Sequence, residues 1–223
     1  MIKYNNSKQI TINKQHRLGS HEEQPLLFSL VHLILCYVSK TSNEVYMSEH
    51  KNYEDTSFDD QIDELKNVKL YPWVGKGFAQ SKNKIIIIGE SMKDWNTDDK
   101  NNIVYINKNK ELVRDIIIKH GLKNVGGHEP YVRNIERAIF NNRKPTKNQI
   151  ITLWNTVIYH NLVLRPMSSI DERPKYSDYY EGWKEFINIL SITGGNQCIL
   201  YGTDQRKSSA LIELLKKEEI EPT

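Results

Sequence analysis

Glu90 and Ser91 are the residues most suited by type and position to do chemistry. They follow Lys84-Ile85-Ile86-Ile87-Ile88-Gly89, a run of β-branched residues that reads as a strand buried on both faces and broken by a glycine. In an open α/β sheet, ligands bind beyond the carboxyl ends of the strands, where such a loop lies. A carboxylate there can stabilise developing positive charge or orient a water molecule, and a hydroxyl can hold one. Glu90 and Ser91 are equally suited to capping the segment that follows or to pairing with a lysine. Asn161 is a second polar residue on an apolar stretch, Asn161-Leu162-Val163-Leu164. Its amide offers one acceptor and two donors, enough to read the edge of a polar ring. If Asn161 faces a pocket, His160 and Leu162 face away, because side chains alternate along a strand.

The elements that position these residues follow from pattern. Leu26 to Ser39 reads as a helix, and its apolar run Leu26 to Val38 is shorter than the roughly 20 residues a membrane span needs. Phe58 to Lys66 has a weak helical pattern. Tyr71 to Phe78 is an aromatic and glycine loop, and Ile103 to Ile106 a short strand or extended segment. Helices are predicted over Glu111 to His120, ended by Gly121, over Tyr131 to Phe140, and over Thr146 to Tyr159. The last opens with a capping box, Thr146 with Gln149. Further helices are expected at Tyr179 to Leu190 and Ser208 to Lys217, with a strand at Cys198 to Gly202. Met1 to Gln24 shows no clear periodicity. The expected class is α/β with a central, mostly parallel sheet. Residues 1–66 form a peripheral, helical segment and 67–223 the α/β domain.

Composition narrows the field only a little. The chain has 223 residues, a formal net charge of +3, and a mean hydropathy of −0.62. That mildly basic balance allows a nucleic-acid partner without demanding one. Cys36 and Cys198 sit in apolar contexts and read as buried thiols of a cytoplasmic protein. The seven histidines are scattered, no zinc-ligand spacing occurs, and no phosphate-loop or dinucleotide motif is present. No metal or organic cofactor is expected.

The order of the pieces is the more specific signal. Gly89-Glu90-Ser91 is followed by Tyr159-His160-Asn161, then Gly182-Trp183-Lys184-Glu185-Phe186, then Ile199-Leu200-Tyr201-Gly202. This series resembles the uracil-DNA glycosylase superfamily, nearer to its "G-E-S" members, over roughly residues 70 to 215. The resemblance implies a three-layer fold and hydrolysis of the bond between a uracil or other modified base and its sugar in DNA. Glu90 and Ser91 would then hold the attacking water and Asn161 would read the base. Trp73, Phe78 or Trp95 would supply an aromatic platform for the extruded base. Arg165, Arg206 and Lys207, with Arg173 and Lys175, are the basic residues that could contact phosphates.

Met92 departs from the pattern, since a His often follows G-E-S. A further strand and an H-P-S-like motif are expected after the last helix, and no segment of this chain matches them. Two other readings stay open. One is a catalytically defective or truncated member that binds nucleic acid or a nucleotide. The other is an unrelated α/β interaction domain that docks through the Leu26 to Val38 helix.

Overall fold

The isoleucine strand lies at the centre of a sheet. The computed structural model describes residues 53–93, 109–123, 125, 129–169, 171–202 and 204–217, with the backbone of 2–5 and 9–12. Its strands are β1 (Ile2–Asn5), β2 (Gln9–Ile12), β3 (Trp73–Val74), β4 (Ile85–Gly89), β5 (Ile158–Asn161) and β6 (Gln197–Leu200). The α-helices among the described residues are α1 (Asp59–Asp63), α2 (Leu112–Ile116), α3 (Pro130–Phe140), α4 (Lys147–Thr156), α5 (Tyr176–Thr193) and α6 (Gln205–Lys217). The expected Leu26 to Ser39 helix, the Ile103 to Ile106 segment and Trp95 lie outside the described residues.

The sheet order is β2-β1-β6-β4-β5-β3. β4 pairs in parallel with β5, Gly89 opposite Asn161, and with β6, Ile88 opposite Leu200. The other pairings, β3 on β5, β1 on β6 and β1 on β2, are antiparallel. The sheet is therefore mixed, which corrects the expectation of a mostly parallel one. Only the three strands joined through helical crossovers run together; the edge strand β3 comes from a loop, and β1 with the other edge strand, β2, forms a hairpin in Met1 to Gln24, where no element was expected. The alternation Gln9-Ile10-Thr11-Ile12 is the trace that hairpin leaves in the sequence.

Alternate residues of β4 feed two apolar clusters. Ile86 and Ile88 join Ile158 and Cys198 with Tyr179, Trp183 and Phe186 of α5 and Leu211 and Leu214 of α6. Ile85 and Ile87 join Tyr159 with Val113 of α2, Val132 and Ile135 of α3, and Leu153 and Trp154 of α4. Burial on both sides is what makes β4 a continuous isoleucine run instead of an alternating one. Trp183 and Phe186 are core, and the Trp183 indole N–H donates to the Lys207 carbonyl at 2.8 Å, tying α5 to α6. Gly182, before it, lets α5 approach the end of β5: a Cβ there would lie 2.0 Å from the Leu162 carbonyl oxygen.

Local signals set most element ends. The Thr146 capping box is present in full at the head of α4. α4 stops at Thr156, three residues earlier than expected, because Val157, Ile158 and Tyr159 favour an extended backbone. α2 does not end at Gly121 but continues as a π-helical segment, Ile117–Lys123. Arg114, 2% exposed, joins α2 to α1 by a two-pronged pair with Asp59.

Candidate functional site

At the carboxyl ends of β4, β5 and β6 lies a cavity of about 370 Å³. That is the size of a small-molecule site. Glu90, Ser91, Tyr159, Asn161, Tyr201 and Lys207 line it from the strand ends and the start of α6. Val113, Ile116 and His120 face it from α2 and its π-helical continuation, with Glu129 and Tyr131 at the head of α3.

Gly89 is the reason these side chains can converge. A Cβ on residue 89 would sit 2.0 Å from the Tyr159 hydroxyl oxygen, 2.3 Å from that of Tyr131 and 2.5 Å from Asn161 Oδ1. Without one, both phenols reach the same acceptor: Tyr159 donates to Asn161 Oδ1 at 2.8 Å and Tyr131 at 3.2 Å. The two rings meet edge to face, 6.0 Å between centroids. Burial pushes the Tyr131 hydroxyl far up, so it stays a donor. Neither phenol proton has another acceptor among the described residues, which fixes the amide with its oxygen toward the tyrosines. Asn161 Nδ2 is left buried with no partner among the described residues, and so is Ser91 Oγ. Asn161 is 3% exposed. A buried polar atom without a partner costs about 1–3 kcal/mol, so both atoms suit a bound polar ligand or water.

Glu90 does not stand free. Its Oε1 lies 3.1 Å from Lys207 Nζ and accepts from the Tyr179 hydroxyl at 3.0 Å. Lys207, 1% exposed, also donates to the Tyr201 carbonyl at 3.0 Å. Burial, then the charges of Glu90 and Asp204, hold the Tyr179 phenol well above its usual range. Asp204 is in turn held low by Arg206.

The remaining expected site residues are elsewhere. Trp73 and Phe78, expected as a stacking platform, are fully buried in the two apolar clusters. The Trp73 indole N–H donates to the Trp154 carbonyl at 2.7 Å, so its one polar atom is satisfied inside the core. Arg165 is engaged by Asp178 and Glu172, and Arg206 by Asp204 and the Pro174 carbonyl. Lys207 is a buried partner of Glu90 and not a surface cation. His160, as the alternation requires, is absent from the cavity lining; it is buried with both ring nitrogens unpartnered among the described residues.

The cavity's own aromatic residues, Tyr131, Tyr159 and Tyr201, and its histidine, His120, were not singled out as site residues in the sequence. Two patterns could have found some of them. Tyr159 stands two residues before Asn161 and so shares its face. Val113, Ile116 and His120 follow helical spacing on one stripe.

Family models, characterised proteins and solved structures yield no match to this chain. Among the described residues, no helix is long and apolar enough to cross a membrane, and no group of three or more His, Cys, Asp or Glu could hold a metal ion.

Proposed function

We propose that the protein is a uracil-DNA glycosylase-like hydrolase with a three-layer arrangement, which takes a uracil or another modified base of DNA into this cavity and cleaves its bond to the sugar. The observation that carries the reading is the pair of buried, unpartnered atoms, Asn161 Nδ2 and Ser91 Oγ, on one cavity at adjacent strand ends. With its oxygen held by two tyrosines, Asn161 offers a donor only, which selects a ring carbonyl. Ser91 Oγ holds the water that attacks the anomeric carbon. The Glu90 carboxylate faces the positive charge that develops on the sugar. Tyr201 takes the platform role instead of Trp73 or Phe78: it lines the cavity and meets Tyr131 edge to face, 6.4 Å between centroids. In this reading β1 covers the β6 edge that a strand after α6 would otherwise meet.

A second reading, a module that binds a base or nucleotide without cleaving it, is favoured by one feature. Glu90 is engaged by Lys207 and Tyr179, and Arg165 and Arg206, expected at phosphates, are engaged by carboxylates of the chain itself.

Base release from single- and double-stranded oligonucleotides carrying uracil or other modified bases separates the two. The hydrolase reading expects release, lowered on the order of 100-fold in kcat/KM by Asn161→Ala, the range for losing one specific polar contact. Binding that weakens with salt but never releases a base selects the second reading. Neither release nor binding removes both.

A further inference from the structure

We propose that His120 is the group that exchanges a proton with the ligand in this cavity. The inference rests on the hydrolase reading and adds a residue to it. Histidine is the side chain whose ordinary proton exchange falls near neutral pH, and it is the commonest general acid in enzymes. His120, half-buried, lines the cavity from the π-helical continuation of α2. π-Helical turns are rare and concentrate at functional sites.

The rest of the cavity leaves the role open to it. Glu90 and Lys207 form an ion pair with each other. Tyr131 and Tyr159 donate to Asn161. Lys93 has a partner of its own, and Tyr201 serves as the platform for the base, its ring edge to face with Tyr131. Glu129, at the head of α3, is the one competitor among the described residues that face the cavity.

The backbone beneath His120 is pinned from behind. The Trp154 indole N–H donates to Glu136 Oε1 at 2.8 Å, and Glu136 Oε2 lies 2.6 Å from Arg133 Nη1. Arg133 Nη2 donates to the His120 carbonyl. Arg133 and Glu136 are 5% and 1% exposed. A buried ion pair is a poor way to gain stability, because desolvation offsets most of its attraction. Holding one carbonyl of a π-helical turn in place is a use that fits its position.

In the reaction, the bond from the anomeric carbon to the base nitrogen breaks and its electron pair stays on the base. Protonated His120 gives its ring proton to the departing base. The oxygen of water bonds to the anomeric carbon, and the proton that water loses returns to the imidazole. The sum is base–sugar plus water giving free base and sugar hydroxyl, with no other reactant.

The test measures kcat and KM for base release against pH in the parent, His120→Gln and Glu129→Gln. The expected result is a kcat lowered 100-fold or more in His120→Gln at little change in KM, within the range for a general acid. The parent's decline of kcat with rising pH should vanish in that variant and persist in Glu129→Gln. In the parent itself, the NMR signals of the His120 ring should move when free uracil is added, a readout that needs no variant to fold. A parent that releases base while His120→Gln keeps its kcat and its pH limb overturns the proposal and leaves the hydrolase reading intact. The same holds if Glu129→Gln loses the limb instead, or if uracil leaves the His120 ring signals unmoved. A parent that releases no base removes the hydrolase reading and this one with it.

Discussion

A β-carbon at residue 89 would lie inside the contact distance of three polar atoms at once, and backbone or buried aromatic rings would have to move to admit it. Gly89→Ala is therefore expected to cost on the order of 2–4 kcal/mol, the range for overpacking a buried site and breaking its hydrogen bonds. Urea unfolding measures it, and an unchanged midpoint would mean that the tyrosines do not cross residue 89. The glycine was legible in the sequence as a strand break, but not for its cause. Tyr131 arrives from the head of α3, and nothing in the local pattern of Tyr131 to Phe140 says that its hydroxyl reaches β5. Asn161 was legible by alternation. Trp73 and Phe78 were misread because a loop aromatic that stacks on a ligand and one that fills a core look alike in sequence; only burial and a satisfied indole N–H separate them.

The first turn of α6 carries the residue whose role changed most. Lys207 was expected beside Arg206 as a phosphate contact, because consecutive basic residues after a strand end read as surface. Helical geometry sends them apart, Arg206 outward to Asp204 and Lys207 inward over the cavity to Glu90 and the Tyr201 carbonyl. Lys207→Met should cost about 2 kcal/mol, less than the 3–5 kcal/mol of a fully buried pair because the Glu90 side chain is 27% exposed. Chemical denaturation of the variant checks this, and no loss of stability would show the pair to be idle. Elsewhere the helices were largely legible: the capping box at Thr146 and the apolar stripe of α3 lie where pattern put them. Boundaries moved where propensity and position conflict. Val157, Ile158 and Tyr159 continue the spacing of α4 but are β-formers; Ile158 and Tyr159 lie opposite Ile86 and Ile87, and pairing with β4 decides their conformation.

Across the whole molecule, two apolar clusters meet at β4, and the acid response follows from a histidine buried on the neighbouring strand β5. His160 sits on the side of β5 away from the cavity, and burial pushes its imidazole down to about 4. A folded-state value below the unfolded one of about 6.5 means that the unfolded chain binds the extra proton first. The stability this group contributes is complete above pH 6.5 and is lost as pH falls toward 4, by roughly 3 kcal/mol over that window. Equilibrium unfolding followed from pH 7 to pH 4 should show the loss in the parent and a flatter limb in His160→Leu; equal slopes would locate the acid sensitivity elsewhere. At this scale the α/β class was legible, since helical stripes alternate with apolar strands. The mixed sheet was not: β3 is two residues long, and a pairing partner for Ile2–Asn5 cannot be read from its own four residues.

The register of β1 on β6 sets Ile2 opposite Cys198. A contact of that sequence separation closes a very long loop, the costliest kind to form early. During synthesis the β1–β2 hairpin leaves the ribosome first, yet its place on the sheet does not exist until β6 has been made. Until then the hairpin must wait undocked, and β6 emerges with one flank of backbone donors and acceptors open. The ladder between β1 and β6 thus joins the first and the last of the described strands, and neither side of it can form before both have been made.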